Sequence, residues 1–207
     1  DPTALSYGNT NLDCEKSHNI NLVYNFFTMK WMVNLTLRES ICDNAIERYS
    51  FYDGKGLLNS TYGNIVKNHQ TGLNGYINFN ASKNTRIMLN GGMAYVDMKS
   101  SELGLSNNGW QGNLMAGLQQ TLPLNVRLSA NVMTSTKTYN LQGYSTGYNI
   151  VMGSLSRTFL NDRLSLSVTG VMPLGGSHLE MKSYTKGKDF ISRSTTSIPL
   201  NIVMFSV

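Results

Sequence analysis

Nowhere in these 207 residues do 18 apolar side chains follow one another. That excludes a membrane-spanning helix, because crossing about 30 Å of hydrocarbon takes roughly 20 predominantly apolar residues. It does not exclude a membrane, since a spanning strand needs only about 9 to 11 residues and half of them can be polar. Charge is scarce as well: charged residues make up 14% of the chain, against roughly 25% in soluble proteins. The 17 basic and 12 acidic residues are spread along the sequence with no run of five like charges, so the net charge of +5 forms no tract for nucleic acid, and no nucleic-acid partner is expected. Cys14 and Cys42 are too few for a disulfide framework; one bridge between them is open, and two independent thiols are the expected state.

Constellations that carry chemistry are missing too. His18, His69 and His178 stand alone, without the close spacing of metal ligands. Ser145-Thr146-Gly147 lacks the form of a nucleophile elbow. The pairs Gly91-Gly92 and Gly175-Gly176 have no phosphate-loop context and read as a close strand contact and a turn. The expectation is a protein that is not an enzyme, with no catalytic residue, no cofactor-binding residue, no cofactor and no metal.

What is present is alternation with a period of two. Ile20, Leu22, Tyr24 and Phe26 oppose Asn19, Asn21 and Asn25; Trp31, Val33, Leu35 and Leu37 oppose Asn34, Thr36 and Arg38. Leu73, Ile77 and Phe79 oppose Asn74, Asn78 and Asn80, with Gly75 interrupting the apolar row. The pattern recurs in Ile87, Leu89, Met93 and Tyr95 against Arg86, Asn90 and Gly92, and in Leu114, Ala116 and Leu118 against Asn113, Gly117 and Gln119. It continues in Val126, Leu128, Ala130 and Val132 against Arg127, Ser129 and Asn131, and in Leu164, Leu166 and Val168 against Ser165, Ser167 and Thr169. Between Gly147 and Phe159, Tyr148, Ile150 and Met152 compete with Val151 and Leu155 for the apolar face. At the end Leu200, Ile202 and Met204 are expected to oppose Asn201, Val203 and Phe205. These are nine strands, with a further hairpin possible at Ser183 to Ser192.

Short turns at Phe27 to Lys30, Ala81 to Asn84, Thr121 to Asn125 and Leu160-Asn161-Asp162 take turns with much longer polar stretches. One trimmed rim and one elaborated rim is the arrangement of a membrane barrel. Amide rows would be costly in a dry core but cost little against a water-filled lumen. The expected fold is therefore all-β, an antiparallel transmembrane β-barrel in the outer membrane with its apolar rows against outer-membrane lipid. Because bacterial single-chain barrels have an even number of strands, nine strands predict a wall segment of a larger barrel, with residues 1–207 a partial barrel domain. Starting at Asp1 without a signal peptide, the sequence reads as a mature protein or a fragment. A soluble β-sandwich is the rival; it would pack the apolar rows of two sheets against each other.

Aromatic residues fall toward two levels, Phe26, Phe27, Trp31, Phe79 and Phe159 near the short turns and Tyr95, Trp110, Tyr139, Tyr144 and Tyr148 toward the other rim, as at two bilayer interfaces. The long connections are where ligand contacts are sought. They are expected at roughly Ile41 to Lys67, with Arg48, Tyr49, Phe51, Tyr52, Asp53 and Tyr62, and at Lys99 to Trp110 with Glu102. Two more carry Lys137, Tyr139 and Tyr144, and His178, Glu180, Tyr184 and Arg193. Such aromatics can hold a sugar or a peptide, or simply pack on one another.

The run Leu5 to His18, with Tyr7-Gly8-Asn9, Leu12 and Glu15, resembles the segment of form YGNPxLxPExSxxxE in the carboxyl-terminal barrel of TonB-dependent receptors and of the related outer-membrane β-barrel family of Bacteroidetes. Further similar pieces are Thr61-Tyr62-Gly63-Asn64-Ile65, Trp110-Gln111-Gly112-Asn113, Gln119 to Pro123, Asn161-Asp162-Arg163-Leu164 and Gly187-Lys188-Asp189-Phe190. Thr10 and Cys14 replace the usual prolines, and the sequence ends at Val207 rather than on a final aromatic. The resemblance implies that this is the C-terminal wall segment of an outer-membrane receptor whose barrel contributes to energy-dependent uptake of an unidentified nutrient. It also implies a plug domain and the TonB system as partners, reached through an N-terminal region not in this sequence, and an unknown extracellular ligand. The alternatives are a surface barrel without transport, or the soluble sandwich, binding protein or carbohydrate.

Overall fold

The computed structural model describes residues 4–160 and 163–207. Fourteen strands follow one another: β1 (Ala4–Ser6), β2 (Ser17–Phe27), β3 (Trp31–Tyr52), β4 (Leu58–Asn80), β5 (Thr85–Ser100), β6 (Leu105–Leu122), β7 (Val126–Ser135), β8 (Thr138–Asn140), β9 (Gly143–Ser145), β10 (Asn149–Phe159), β11 (Leu164–Pro173), β12 (His178–Lys186), β13 (Ile191–Pro199) and β14 (Ile202–Ser206). The large sheet runs β14-β11-β10-β7-β6-β5-β4-β3-β2, with β1 added in parallel to β4. The nine strands on that path are the nine expected from alternation, all paired antiparallel. A second sheet, β13-β12-β9-β8, shares no ladder with the wall.

The short turns form where their chemistry dictates. Thr28 closes the first by accepting the Trp31 N–H on its hydroxyl at 2.9 Å while its own N–H reaches the Trp31 carbonyl at 2.7 Å. At Pro123–Asn125, Leu124 and Asn125 take positive φ of 64° and 57°, reversing the chain in three residues. The fourth turn is described only at Leu160; Asn161 and Asp162, the first two residues of a motif piece, lie outside the described residues.

Directly paired residues share a face of the sheet, so the ladders assign every wall residue to one side. One row reads Phe26, Val33, Ile77, Leu89, Ala116, Val132, Val151 and Met172; another reads Leu22, Leu37, Leu73 and Met93. This apolar face is uncovered, with Leu22 69%, Leu73 50%, Met93 55% and Leu114 47% exposed. A sandwich would have buried these side chains, so the soluble alternative is overturned. The buried cluster is instead Val66, Val96, Met98 and Leu141, at the end of the sheet remote from the short turns.

The register settles one open face and corrects one expectation. Val151 joins the apolar row, so Ile150 and Met152 lie on the amide face opposite Met133 and Asn131. In β14 the parity is reversed from that expected: Phe205 pairs with Val168 and Val203 with Gly170, placing them on the apolar face and Ile202 and Met204 on the other. Pairing with β11 decides this, because apolar residues on both faces leave local alternation without a signal.

The long connections are corrected too. The stretch Ile41 to Lys67 is mostly strand: β3 and β4 stay paired out to Tyr52 and Leu58, past register shifts around Ala45, and only Asp53 to Leu57 turns. Asp53 builds that turn, accepting the N–H groups of Lys55 and Leu57 at 2.8 and 3.0 Å. Likewise β5 and β6 remain paired to Ser100 and Leu105. A crossing needs about 11 residues, so β3, at 22, carries a second span's length beyond the wall.

Candidate functional site

The amide face is the concave side, and two polar clefts lie on it. A cleft of about 410 Å³ is walled by Arg38, Gln70, Asn74, Gln111, Asn113 and Tyr148. Its floor depends on glycine: a Cβ on Gly92 would meet the Asn74 amide oxygen at 2.2 Å. Nearer the short turns a second cleft, about 510 Å³, is lined by Lys83, Arg86, Gln119, Arg127 and Ser129 among others. Asn78, on the same face and 5% exposed, leaves its side-chain oxygen without a protein partner.

The β8–β9 hairpin crosses this concave side as a chord. Leaving β7, it first rests on β6, where Asn107 donates to the carbonyls of Asn140 and Gly143 at 2.6 and 2.7 Å. Tyr139 lies flat over Gly109, the position at which a Cβ would sit 2.3 Å from the ring. The tip residue Leu141, 2% exposed, inserts among Val66, Val96 and Met98 of β4 and β5. Beyond it Gln142 pairs with the backbone of Ser50 in β3, accepting its N–H at 2.8 Å and donating to its carbonyl at 2.9 Å. Under the same tip, burial pushes the Glu47 carboxyl up, with the Glu15 carboxylate adding in the same direction, against the lowering effect of the Leu141 N–H it accepts.

The loop aromatics expected to hold ligand largely hold one another. Lys137 stands 4.4 Å over the Tyr144 ring, Tyr144 stacks on Tyr184 at 5.5 Å, and Arg193 lies over Tyr184 at 5.8 Å. Such a ladder clamps the hairpin to β12. Tyr52 meets Phe190 edge-on at 5.6 Å, and Tyr49 stacks on Phe51. The motif run after β1 is a strap across β3 and β4: Asn64 exchanges hydrogen bonds with Asp13, Asn44 with Cys14 and Lys16, and Glu15 accepts the Ile46 N–H at 2.5 Å. Cys14 is exposed, Cys42 is buried, and both are free. No group of three His, Cys, Asp or Glu residues able to hold a metal occurs among the described residues.

On the apolar face the aromatics mark two levels. Trp31 stacks on Phe79 at 4.1 Å beside the short turns, and Tyr95 meets Trp110 edge-on at 5.4 Å toward the far rim. Ile87 pairs with Phe79 and Tyr95 with Trp110, so the levels are eight residues apart along β5, about 27 Å at ~3.4 Å per residue. A tilt of roughly 40° leaves about 20 Å of height, close to the ~25 Å apolar band of a membrane barrel. Tyr139, Tyr144 and Tyr148 do not belong to the outer band: the first two sit in the hairpin, and Tyr148 lines the concave cleft.

A model of the outer membrane protein beta-barrel family matches residues 1–207. No curated protein and no solved structure matches the chain.

Proposed function

Since the chain belongs to the outer membrane protein beta-barrel family, and so to the outer membrane, we propose that it forms part of the wall of a larger barrel that takes up a nutrient with energy supplied through the TonB system. The observation that carries this reading is the pairing of an uncovered apolar face with a cleft-bearing amide face across one sheet. Lipid satisfies the first and water the second. Among the described residues neither outer strand on the path, β2 nor β14, pairs along its outer edge, and in hydrocarbon each edge needs a partner strand. Further strands supply those partners. The β8–β9 chord narrows the mouth, so solute passes only when the chord or an interior plug moves.

This reading does no covalent chemistry; it binds, admits and releases. Its test is nutrient-dependent growth and solute accumulation by cells making the full-length protein, with and without a functional TonB system. Accumulation that needs both the protein and TonB is expected. A second reading, a surface barrel that binds another protein, draws on the paired β3–β4 extension beyond the wall. Protein capture by that extension with unchanged solute accumulation would replace the first reading by the second.

A further inference from the structure

The concave face of the wall carries charge of one sign only. Assigned by the ladders, its charged side chains are Arg38, opposite Gly72, Arg86, opposite Gln119, and Arg127, opposite Ser156. All three are exposed to the interior space. The wall carboxylates, Glu39 and Asp97, fall on the opposite face, paired with Thr71 and His69 in the rows of Tyr95 and its neighbours. Among the described residues of the concave wall there is no Asp or Glu below the β3–β4 extension, where Glu47 lies under the chord tip and accepts the Leu141 N–H. The sequence holds 12 acidic residues, so their exclusion from this surface concerns placement rather than composition.

The arginines form two stations. Arg86 and Arg127 line the cleft near the short turns together with Lys83, with Gln119, Ser82 and Ser129 supplying neutral hydrogen-bonding groups. Arg38 lines the other cleft, beneath the chord, steadied by donating to the Asn19 side-chain oxygen at 3.0 Å. Ala94 shares the ladder row of Arg38 through Gly72, so Arg38 stands about 27 Å along the strands from Arg86 at ~3.4 Å per residue. Guanidinium groups match the oxygens of phosphate and carboxylate in pairs. A surface of one sign in a low-dielectric enclosure concentrates ions of the other sign.

We propose that the passage lined by this wall selects anionic solutes, with Arg86 and Arg127 holding a phosphate or carboxylate group at the short-turn end and Arg38 holding one beneath the chord. The inference deepens the uptake reading and rests on it. An anion entering below the chord exchanges its water for Arg38 and neighbouring amides, then meets the second station before leaving.

The test uses the full-length protein folded in detergent, with inorganic pyrophosphate as the anionic probe and spermidine as the cationic one, read by calorimetry at low ionic strength. Pyrophosphate binding that weakens roughly tenfold in the double variant Arg86→Gln/Arg127→Gln, and is kept when both are changed to lysine, is expected. Arg157→Gln serves as control, because Arg157 pairs with Leu166 on the apolar face and covers the Phe159 ring. Heat-dependent gel migration checks that each variant is folded. No pyrophosphate binding by the folded wild type, equal binding of spermidine, or an affinity unmoved by the double glutamine change would overturn the inference. Because the probe need not cross a membrane, absence of TonB-dependent accumulation would sink the uptake reading while leaving this result to stand or fall separately.

Discussion

Replacing Leu141 by serine releases the chord from the concave face. Leu141 is the one chord residue in the buried cluster, and truncating a fully buried leucine typically costs about 2 to 5 kcal/mol. A hydroxyl in its place adds the penalty of a polar group among Val66, Val96 and Met98. The remaining ties are the hydrogen bonds of Asn107 and of the buried Gln142, each contributing on the order of 1 kcal/mol net, and they do not offset the loss. The expected result is faster hydrogen exchange at the Ser50 and Leu141 amides with the nine wall strands still protected. A wall that unfolds together with the chord would contradict the separation of the two units.

The same docking depends on pH through Glu47. Its pKa is raised by burial, so the undocked chord, with an ordinary carboxyl, gives up its proton first as pH rises. Docking is therefore strongest below the ordinary carboxylate range and weakens as pH climbs through the raised value. Glu47→Gln is expected to abolish that dependence and hold the chord at neutral pH as firmly as acid holds the native one.

The second large effect concerns the wall. Leu114 lies on the apolar face of β6, four residues from Trp110 at one aromatic level and four from Leu118 in the row of Phe79 at the other. It therefore sits near the bilayer midplane. Leu114→Arg is expected to cost about 2 to 4 kcal/mol of stability in lipid, the toll for an arginine on the outside of a membrane barrel at that depth. Asn113→Arg, one residue away on the concave face, places the same charge in water and is expected to cost little. Urea titration of both variants folded in vesicles measures the difference; equal destabilisation would mean that the two faces see the same solvent.

Much of this was legible in the sequence where one face met lipid and the other amide-lined water. In the apolar rows of the wall from Ile20 to Val132, each aliphatic residue has asparagine, glutamine, serine, glycine or arginine beside it, and parity follows. It failed at β14, where Ile202, Val203, Met204 and Phe205 are all apolar and only the ladder with β11 sets the face. The β3–β4 extension read as loop for a related reason: past the wall both faces are polar, so Arg48 to Ser50 against Ser60 to Tyr62 shows no solvent-imposed alternation. The chord was illegible, because Asn140-Leu141-Gln142-Gly143 looks like any turn until Ser50, 92 residues away, receives Gln142. The lone sign of charge on the concave face was visible, since Arg38, Arg86 and Arg127 already stand in the polar rows and no carboxylate joins them.

The chain's two tryptophans sit one at each aromatic level of the apolar face, which makes their fluorescence the most direct probe of what that face touches. In vesicles, lipids brominated high on the acyl chain should quench Trp31 and Trp110 strongly, lipids brominated near the chain end should quench less, and aqueous iodide should quench least. Emission untouched by brominated lipid and readily quenched by iodide would contradict the contact between the apolar face and the bilayer.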